Sequence, residues 1–343
     1  MRVILCGYYG QDNAGDEALL VCLLQMLPAT VEPVVLSANP QTTEERYGVE
    51  AHYNRDCPKI WQLLGQCDGF VWGGGSLMQD VTSVVSPLYY GGLMAIAQMR
   101  GLKTIAWAQG IGPLQRPPLR WFTQQVLRGC NGISVRDEAS LRLVERWDLK
   151  AFLAADPVWS LAAENASPSP SPLPMVAVNL RAHRLLTLER LAVITQALKD
   201  FQQQTQTHLR LIPLQKSQDL AIAEAIAVEL PGSYEILYRP DPRECKGLFR
   251  GAEFTIGMRL HSLIMAAAEG SACFALSYDP KVSRLMAEVE IPGWELANLP
   301  MDSNELSQIW QNHFQQRQPW KEAEPLQKSA LQHQALLQKI FVG

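Results

Sequence analysis

The chain has 343 residues, a formal net charge of −4 and a hydrophobic fraction of 47%. That length accommodates two ordinary domains with substantial cores. The acidic balance excludes a nucleic-acid binder working by bulk positive charge, and no Lys/Arg run or basic–aromatic interleaving stands out.

Short β-rich runs alternate with helical patterns throughout, which predicts a doubly wound α/β fold. The opening MRVILCGYYG is too short and too glycine-rich for a signal h-region, and reads as a first buried strand. In the first half strands are expected at Arg2–Gly7, Pro33–Ala38, Gly69–Gly73, Lys103–Ala108 and Gly132–Val135. Helices fall between them near Asp16–Leu27, Ile60–Gln66, Leu88–Arg100, Leu119–Arg128 and Glu138–Trp147. The second half repeats the alternation, with strands at Met175–Leu180, Leu209–Pro213, Glu235–Tyr238, Glu253–Ile256 and Cys273–Ser277. Between the halves, ASPSPSPLP (Ala166–Pro174) alternates proline with serine and reads as a semi-extended linker. The expected domains are therefore 1–165 and 175–300, facing each other across a cleft. A Gln-rich helical segment, 301–343, is broken at Pro319 and Pro325 and crosses back toward the first domain.

The seven cysteines are scattered, without a C-x-x-C pair or Cys/His cluster. That pattern suits reduced thiols in a cytoplasmic protein and argues against structural zinc. No stretch approaches the roughly 18 apolar residues that would cross a membrane. Contact with a membrane surface is left open.

Chemistry-bearing residues gather where strands hand over to helices, the edge at which open α/β sheets bind ligands. GYYGQDNAGDEALL (Gly7–Leu20) is the first such turn, with Asn13 or Asp16 able to cap the next helix. Its glycine spacing is wrong for a dinucleotide fingerprint, and Asp16–Glu17 would repel a pyrophosphate. Polar side chains there suit a hydroxyl-rich ligand; a capped turn with two surface carboxylates is the alternative. GGGSLMQD (Gly73–Asp80) brings backbone close to a ligand at Gly74 and Gly75, with Ser76, Gln79 and Asp80 beside it. QGIGP (Gln109–Pro113) follows the next strand, and SVRDEAS (Ser134–Ser140) places Arg136 at a strand end. ADPVW (Ala155–Trp159) reads as a turn, and NLR (Asn179–Arg181) points Arg181 toward the cleft. In SYDPKVSRLM (Ser277–Met286) Lys281 sits in a helix's first turn, where it opposes the dipole unless an anion binds nearby.

GMRLHSLIMAAAEG (Gly257–Gly270) is the most informative stretch. Its helix carries a core stripe yet begins with Arg259 and His261. The pair reads as an anion clamp and a proton donor at a helix N-terminus. His52, His183, His208, His313 and His333 read as structural.

Together, GYYGQDNAGDEA, GGGSLMQD, QGIGP, SVRDEAS, ADPV, GMRLHSLIMAA and SYDPKVSRLM resemble, in order, the polysaccharide pyruvyl transferase family, and within it the CsaB branch. The resemblance implies two Rossmann-like domains arranged as in GT-B glycosyltransferases, with no metal and no cofactor. It implies transfer of a pyruvyl group from phosphoenolpyruvate to sugar hydroxyls, usually as a cyclic ketal. The CsaB-like acceptor would be an N-acetylmannosamine-containing cell-wall polymer on a lipid-linked precursor. Phosphoenolpyruvate would then be held by Arg136, Arg259, Leu260, His261 and Lys281, with Arg259 and His261 catalytic. Tyr8, Asn13, Asp16, Gly74, Gly75, Ser76 and Asp80 would bind the acceptor, and Asp16 or Asp80 could serve as a base. A nucleotide-sugar glycosyltransferase and a noncatalytic saccharide-binding protein on the same scaffold are the competing readings.

Overall fold

The computed structural model describes residues 1–81, 83–164, 170–318, 320 and 323–343. Its strands form two sheets, and every strand pairing in them is parallel. The first contains β1 (Arg2–Cys6), β2 (Glu32–Ser37), β3 (Glu50–Tyr53), β4 (Gly69–Gly75), β5 (Lys103–Gln109), β6 (Gly132–Val135) and β7 (Phe152–Leu153), in the order 3-2-1-4-5-6-7. The second contains β8 (Met175–Asn179), β9 (His208–Leu211), β10 (Tyr234–Ile236), β11 (Ala252–Gly257), β12 (Ala272–Ser277) and β13 (Gly293–Glu295), in the order 10-9-8-11-12-13. Each is the Rossmann order, with the chain reversing direction between β1 and β4 in one sheet and between β8 and β11 in the other. Helices cover both, as the α/β expectation requires.

Burial explains why the central strands are so readable. β4 and β8 are buried along their whole length, and a strand covered on both faces reads as a continuous apolar run. Around them Phe70, Trp72 and Met94 centre one core, and Phe201, Phe254 and Trp310 the other. The unanticipated strands β3, β7 and β13 are sheet-edge strands of two to four residues. β3 buries only Ala51 completely, so its sequence shows no strand period.

The chain divides into two compact units, Met1–Leu161 with Pro325–Gly343, and Ala162–Glu324. The final helix, His333–Phe341, lies on the first sheet: Lys103 donates to the Ile340 carbonyl at 2.7 Å, and His333 bonds Ser134 Oγ and the Ala155 carbonyl, both at 3.0 Å. Pro325 does not break a helix. It stands in the first turn of Ala323–Leu331, where its missing N–H costs nothing. Residues 166–169 of the expected linker, and Pro319, lie outside the described residues.

Candidate active site

In the first unit the glycine turns after β1 and β4 meet at the chain-reversal point. Tyr9 is buried, and its hydroxyl donates to the Gly73 carbonyl at 2.6 Å. A Cβ on Gly73 would stand 1.7 Å from that hydroxyl, so glycine is required by the close approach. Glu17 is not a surface carboxylate. It is buried, accepts from the Gly10 N–H at 2.8 Å and from the Tyr47 hydroxyl at 2.8 Å, and burial raises its pKa against those bonds. Asn13 caps the helix Ala14–Met26 through the Gly15 N–H and donates to Asp16. Asp16 is half-buried, and its Oδ1 lies 3.5 Å from where a Gly75 Cβ would be. Gly75 has φ +87°, a backbone conformation that favours glycine. Tyr8 presents an exposed ring at the same turn.

Arg136 ties the remaining turns of this unit together. Its Nη2 donates to Ser76 Oγ at 3.0 Å and its Nη1 to Asp156 at 2.6 Å, with the side chains of Arg136 and Asp156 buried. A Cβ on Gly110 would lie 3.0 Å from Arg136 Nε. The motifs GGGS, QG, SVR and ADP therefore converge on one guanidinium.

Asp80 is tied to the loop that follows β5. Its side chain is wholly buried, and its two oxygens accept the backbone N–H groups of Gln115 and Arg116 at 2.8 and 2.7 Å. Arg116 also reaches the Asp80 carbonyl at 2.8 Å. A carboxylate committed in this way fixes the entry to the helix Pro117–Arg128.

In the second unit the turns after β8 and β11 meet at the corresponding reversal point. The Asn179 side chain donates to the Ile212 carbonyl at 2.8 Å and accepts the Arg259 N–H at 3.2 Å. Arg259 is the N-cap residue of the helix Leu260–Ala268 and is buried. Its Nε and Nη2 donate to the two oxygens of Asp219 at 2.8 and 2.6 Å, and Nη2 also meets Gln215 at 3.2 Å. One face of the expected anion clamp is thus held by a buried carboxylate, which orients it; Nη1 makes none of these bonds. Leu260 is buried, while His261 is partly exposed in the first turn.

The same edge holds further cations. Arg181 donates to the Tyr278 hydroxyl at 2.9 Å and to Gln218, and its guanidinium lies 5.0 Å from the Tyr278 ring centroid. His183 packs on that ring, centroids 4.8 Å apart. Burial, then Arg181 and Arg184, hold its pKa below the ordinary imidazole value. Asp279 caps the helix Pro280–Glu288, and Lys281 Nζ lies 3.9 Å from its carboxylate.

Of the five residues expected to hold the donor, Arg259, Leu260, His261 and Lys281 lie in the second unit and Arg136 in the first. The acceptor candidates Tyr8, Asn13, Asp16, Gly74, Gly75, Ser76 and Asp80 all lie in the first unit. Sequence reasoning missed Asp219, Gln215 and Gln218. Asp219 follows β9 while Arg259 follows β11, and β8 separates those strands in the sheet. Tyr278 stood inside a quoted motif without a role. Among the described residues no group of three His, Cys, Asp or Glu side chains could hold a metal ion.

Comparison with known proteins agrees with this architecture. The putative UDP-N-acetylglucosamine 2-epimerase of Listeria monocytogenes superposes with a TM-score of 0.66 at 9% identity, covering 97% of this chain and 94% of that one. The UDP-GlcNAc 2-epimerase of Methanocaldococcus jannaschii gives 0.65 at 11% identity, covering 99% and 100%. MurG of Acinetobacter baumannii gives 0.52 at 11%, covering 99% and 98%. These likenesses establish the fold, two Rossmann-like domains of the GT-B type. No curated protein matches the sequence. The model of the polysaccharide pyruvyl transferase family matches residues 13–280, a span that runs from the Asn13 cap past Arg259 and His261 to Pro280, and the chain belongs to that family.

Proposed function

We propose that the protein transfers the pyruvyl group of phosphoenolpyruvate to hydroxyls of a surface or cell-wall saccharide, with release of phosphate. The carrying observation is the Arg259–Leu260–His261 turn at the reversal point of the second sheet. A buried arginine, a partly exposed histidine and a helix N-terminus stand there together, with Arg181 and Lys281 at the ends of neighbouring strands. Phosphoenolpyruvate is a small polyanion, and arginine forks with helix N–H groups match its phosphate and carboxylate.

In this reading Asp219 orients Arg259, and His261 delivers a proton to C3 of the enol or to the departing phosphate. Protonation of C3 makes C2 electrophilic. A sugar hydroxyl adds to C2 and gives up its proton; the C2–O bond to phosphate breaks, and a second hydroxyl closes the ketal. One donor and one diol give one ketal and one inorganic phosphate, so the transfer balances without a cofactor.

The acceptor belongs, on this proposal, to the first unit. Tyr8, Asn13, Asp16 and Ser76 offer an aromatic face and polar groups around glycine backbone, which suits a sugar. Asp16 is the better placed base, because Asp80 is spent on its loop. The CsaB-like assignment, with an N-acetylmannosamine-containing acceptor at the cytoplasmic face of the membrane, extends this proposal through the motif resemblance. Calorimetric titration tests the donor: phosphoenolpyruvate is expected to bind selectively over UDP-hexose, with binding weakened in Arg259→Lys. Selective binding of the UDP-hexose would replace this reading with a nucleotide-sugar glycosyltransferase.

A further inference from the structure

The helix Val85–Met99 is the next helix after β4 (Gly69–Gly75), and its sequence, VSPLYYGGLMAIAQM, contains no charged residue. A helix on the surface of a sheet ordinarily turns a charged face to water. Here Val85 is 70% exposed and Leu88 51% exposed, and Val81 and Val84 in the preceding turn are exposed as well. The helix Pro117–Arg128 runs alongside it, since a Cβ on Gly91 would meet the Phe122 ring at 2.5 Å. Both helices leave the carboxyl ends of parallel strands, so their first turns share one rim. The bonds from Asp80 to residues 115 and 116 join the segment that follows β4 to the residue that caps the helix Pro117–Arg128. The second helix adds Trp121, 62% exposed, together with exposed Arg116 and Arg120.

Charge is segregated along this part of the chain. From Val81 to Val135 the sequence carries Arg100, Lys103, Arg116, Arg120 and Arg128 and no Asp or Glu, although acidic residues outnumber basic ones overall, 34 to 30. Exposed aliphatic side chains, an exposed tryptophan and flanking arginines form the combination that seats in a lipid headgroup layer. Among the described residues no helix is long and apolar enough to cross a membrane, so any contact through this rim lies along the surface.

We propose that the rim formed by Val81, Val84, Val85, Leu88, Arg120 and Trp121 docks the protein on an anionic bilayer surface. This brings the acceptor turns of the first unit, Gly73–Asp80 in particular, to the headgroup level, where a saccharide on a lipid carrier is presented. The proposal rests on the saccharide-transfer reading for that purpose. The binding itself is measured without donor or acceptor. A second copy of the chain is the less favourable occupant, because a two-fold contact through this rim would oppose like charges at Arg116 and Arg120.

The test is cosedimentation of the full chain with vesicles of equal parts phosphatidylglycerol and phosphatidylcholine, against phosphatidylcholine alone. The expected result is binding to the anionic vesicles that weakens at high salt, falls at least tenfold in Val85→Asp/Leu88→Asp, and falls about fivefold in Arg120→Gln. Both aspartates would stand at exposed positions, and circular dichroism checks that the variant folds. Absence of binding to the anionic vesicles, or binding that the aspartate pair leaves unchanged, overturns the proposal. So does a wild-type dimer in sedimentation velocity that becomes monomeric in the aspartate variant. Phosphoenolpyruvate titration of the same samples reports on the donor reading separately, since none of these residues belongs to the donor site.

Discussion

Asp219 holds Arg259 through two charge-assisted hydrogen bonds, 2.8 and 2.6 Å long, with both side chains buried. The same carboxylate accepts the backbone N–H groups of Leu214 and Gln215 at 2.9 and 3.0 Å. It therefore joins the turn after β9 to the turn after β11 and fixes the plane of the guanidinium. Removing the carboxylate strands a buried cation, which costs about 3–5 kcal/mol. Asp219→Ala is expected to lose roughly that much in urea unfolding and to bind phosphoenolpyruvate more weakly. Unchanged stability would show that Arg259 does not depend on this partner.

His261 is partly exposed in a first helical turn. His261→Ala is expected to lower kcat by about a hundredfold or more while the phosphoenolpyruvate dissociation constant changes little. Steady-state phosphate release and calorimetry on the same preparation separate the two effects. Turnover at the wild-type rate would remove His261 from the chemistry.

Asp80 is expected to act on stability rather than on proton transfer. An asparagine there accepts one of the two N–H groups and turns its own NH₂ toward the other. Asp80→Asn should cost about 1–3 kcal/mol and leave the shape of the pH–rate profile unchanged. A lost acidic limb in that profile would return Asp80 to the candidate bases.

Tyr9 and Gly73 are coupled by contact. A methyl at position 73 is driven into the Tyr9 hydroxyl, so Gly73→Ala should destabilise by about 2–3 kcal/mol. Removing the hydroxyl in Tyr9→Phe/Gly73→Ala makes room, and the double variant should be more stable than the sum of the single effects implies. Strict additivity in denaturant unfolding would count against that packing.

His333 provides a pH signature of the C-terminal helix on the first sheet. Burial lowers its pKa to about 4, opposed only in part by the Ala155 carbonyl and Asp156. Above about pH 6.5, the ordinary imidazole value, the ring is neutral in both folded and unfolded chains. Below that pH the unfolded chain takes up a proton that the folded chain refuses until about pH 4. Stability is therefore lost as pH falls through this window, by about 2–3 kcal/mol between pH 7 and pH 4.5. His333→Gln should remove that share of the slope, read from urea unfolding at the two pH values.

Much of this architecture was legible before any coordinates. Buried central strands such as β4 and β8 announce themselves because both faces demand apolar residues, and the glycine turns mark where the backbone must pass closely. The motif string from Gly7 to Met286 also carried the family, since its members occur in order over most of the chain. The edge strands β3, β7 and β13 were not legible, because a short strand at a sheet margin buries too little to impose a period.

Residue types at strand ends, the helix starting at Leu260 and the cationic character of its N-terminus are properties of local sequence, because strand and helix periods and caps act over a few residues. Partnership is not local. That Asp80 ties down its loop, that Glu17 is buried under Gly10 and Tyr47, and that Asp219 faces Arg259 follow from strand order. Sheet order sets turns from distant strands side by side, and there a carboxylate becomes a clamp, a brace or a reacting group according to which donors have already claimed its oxygens.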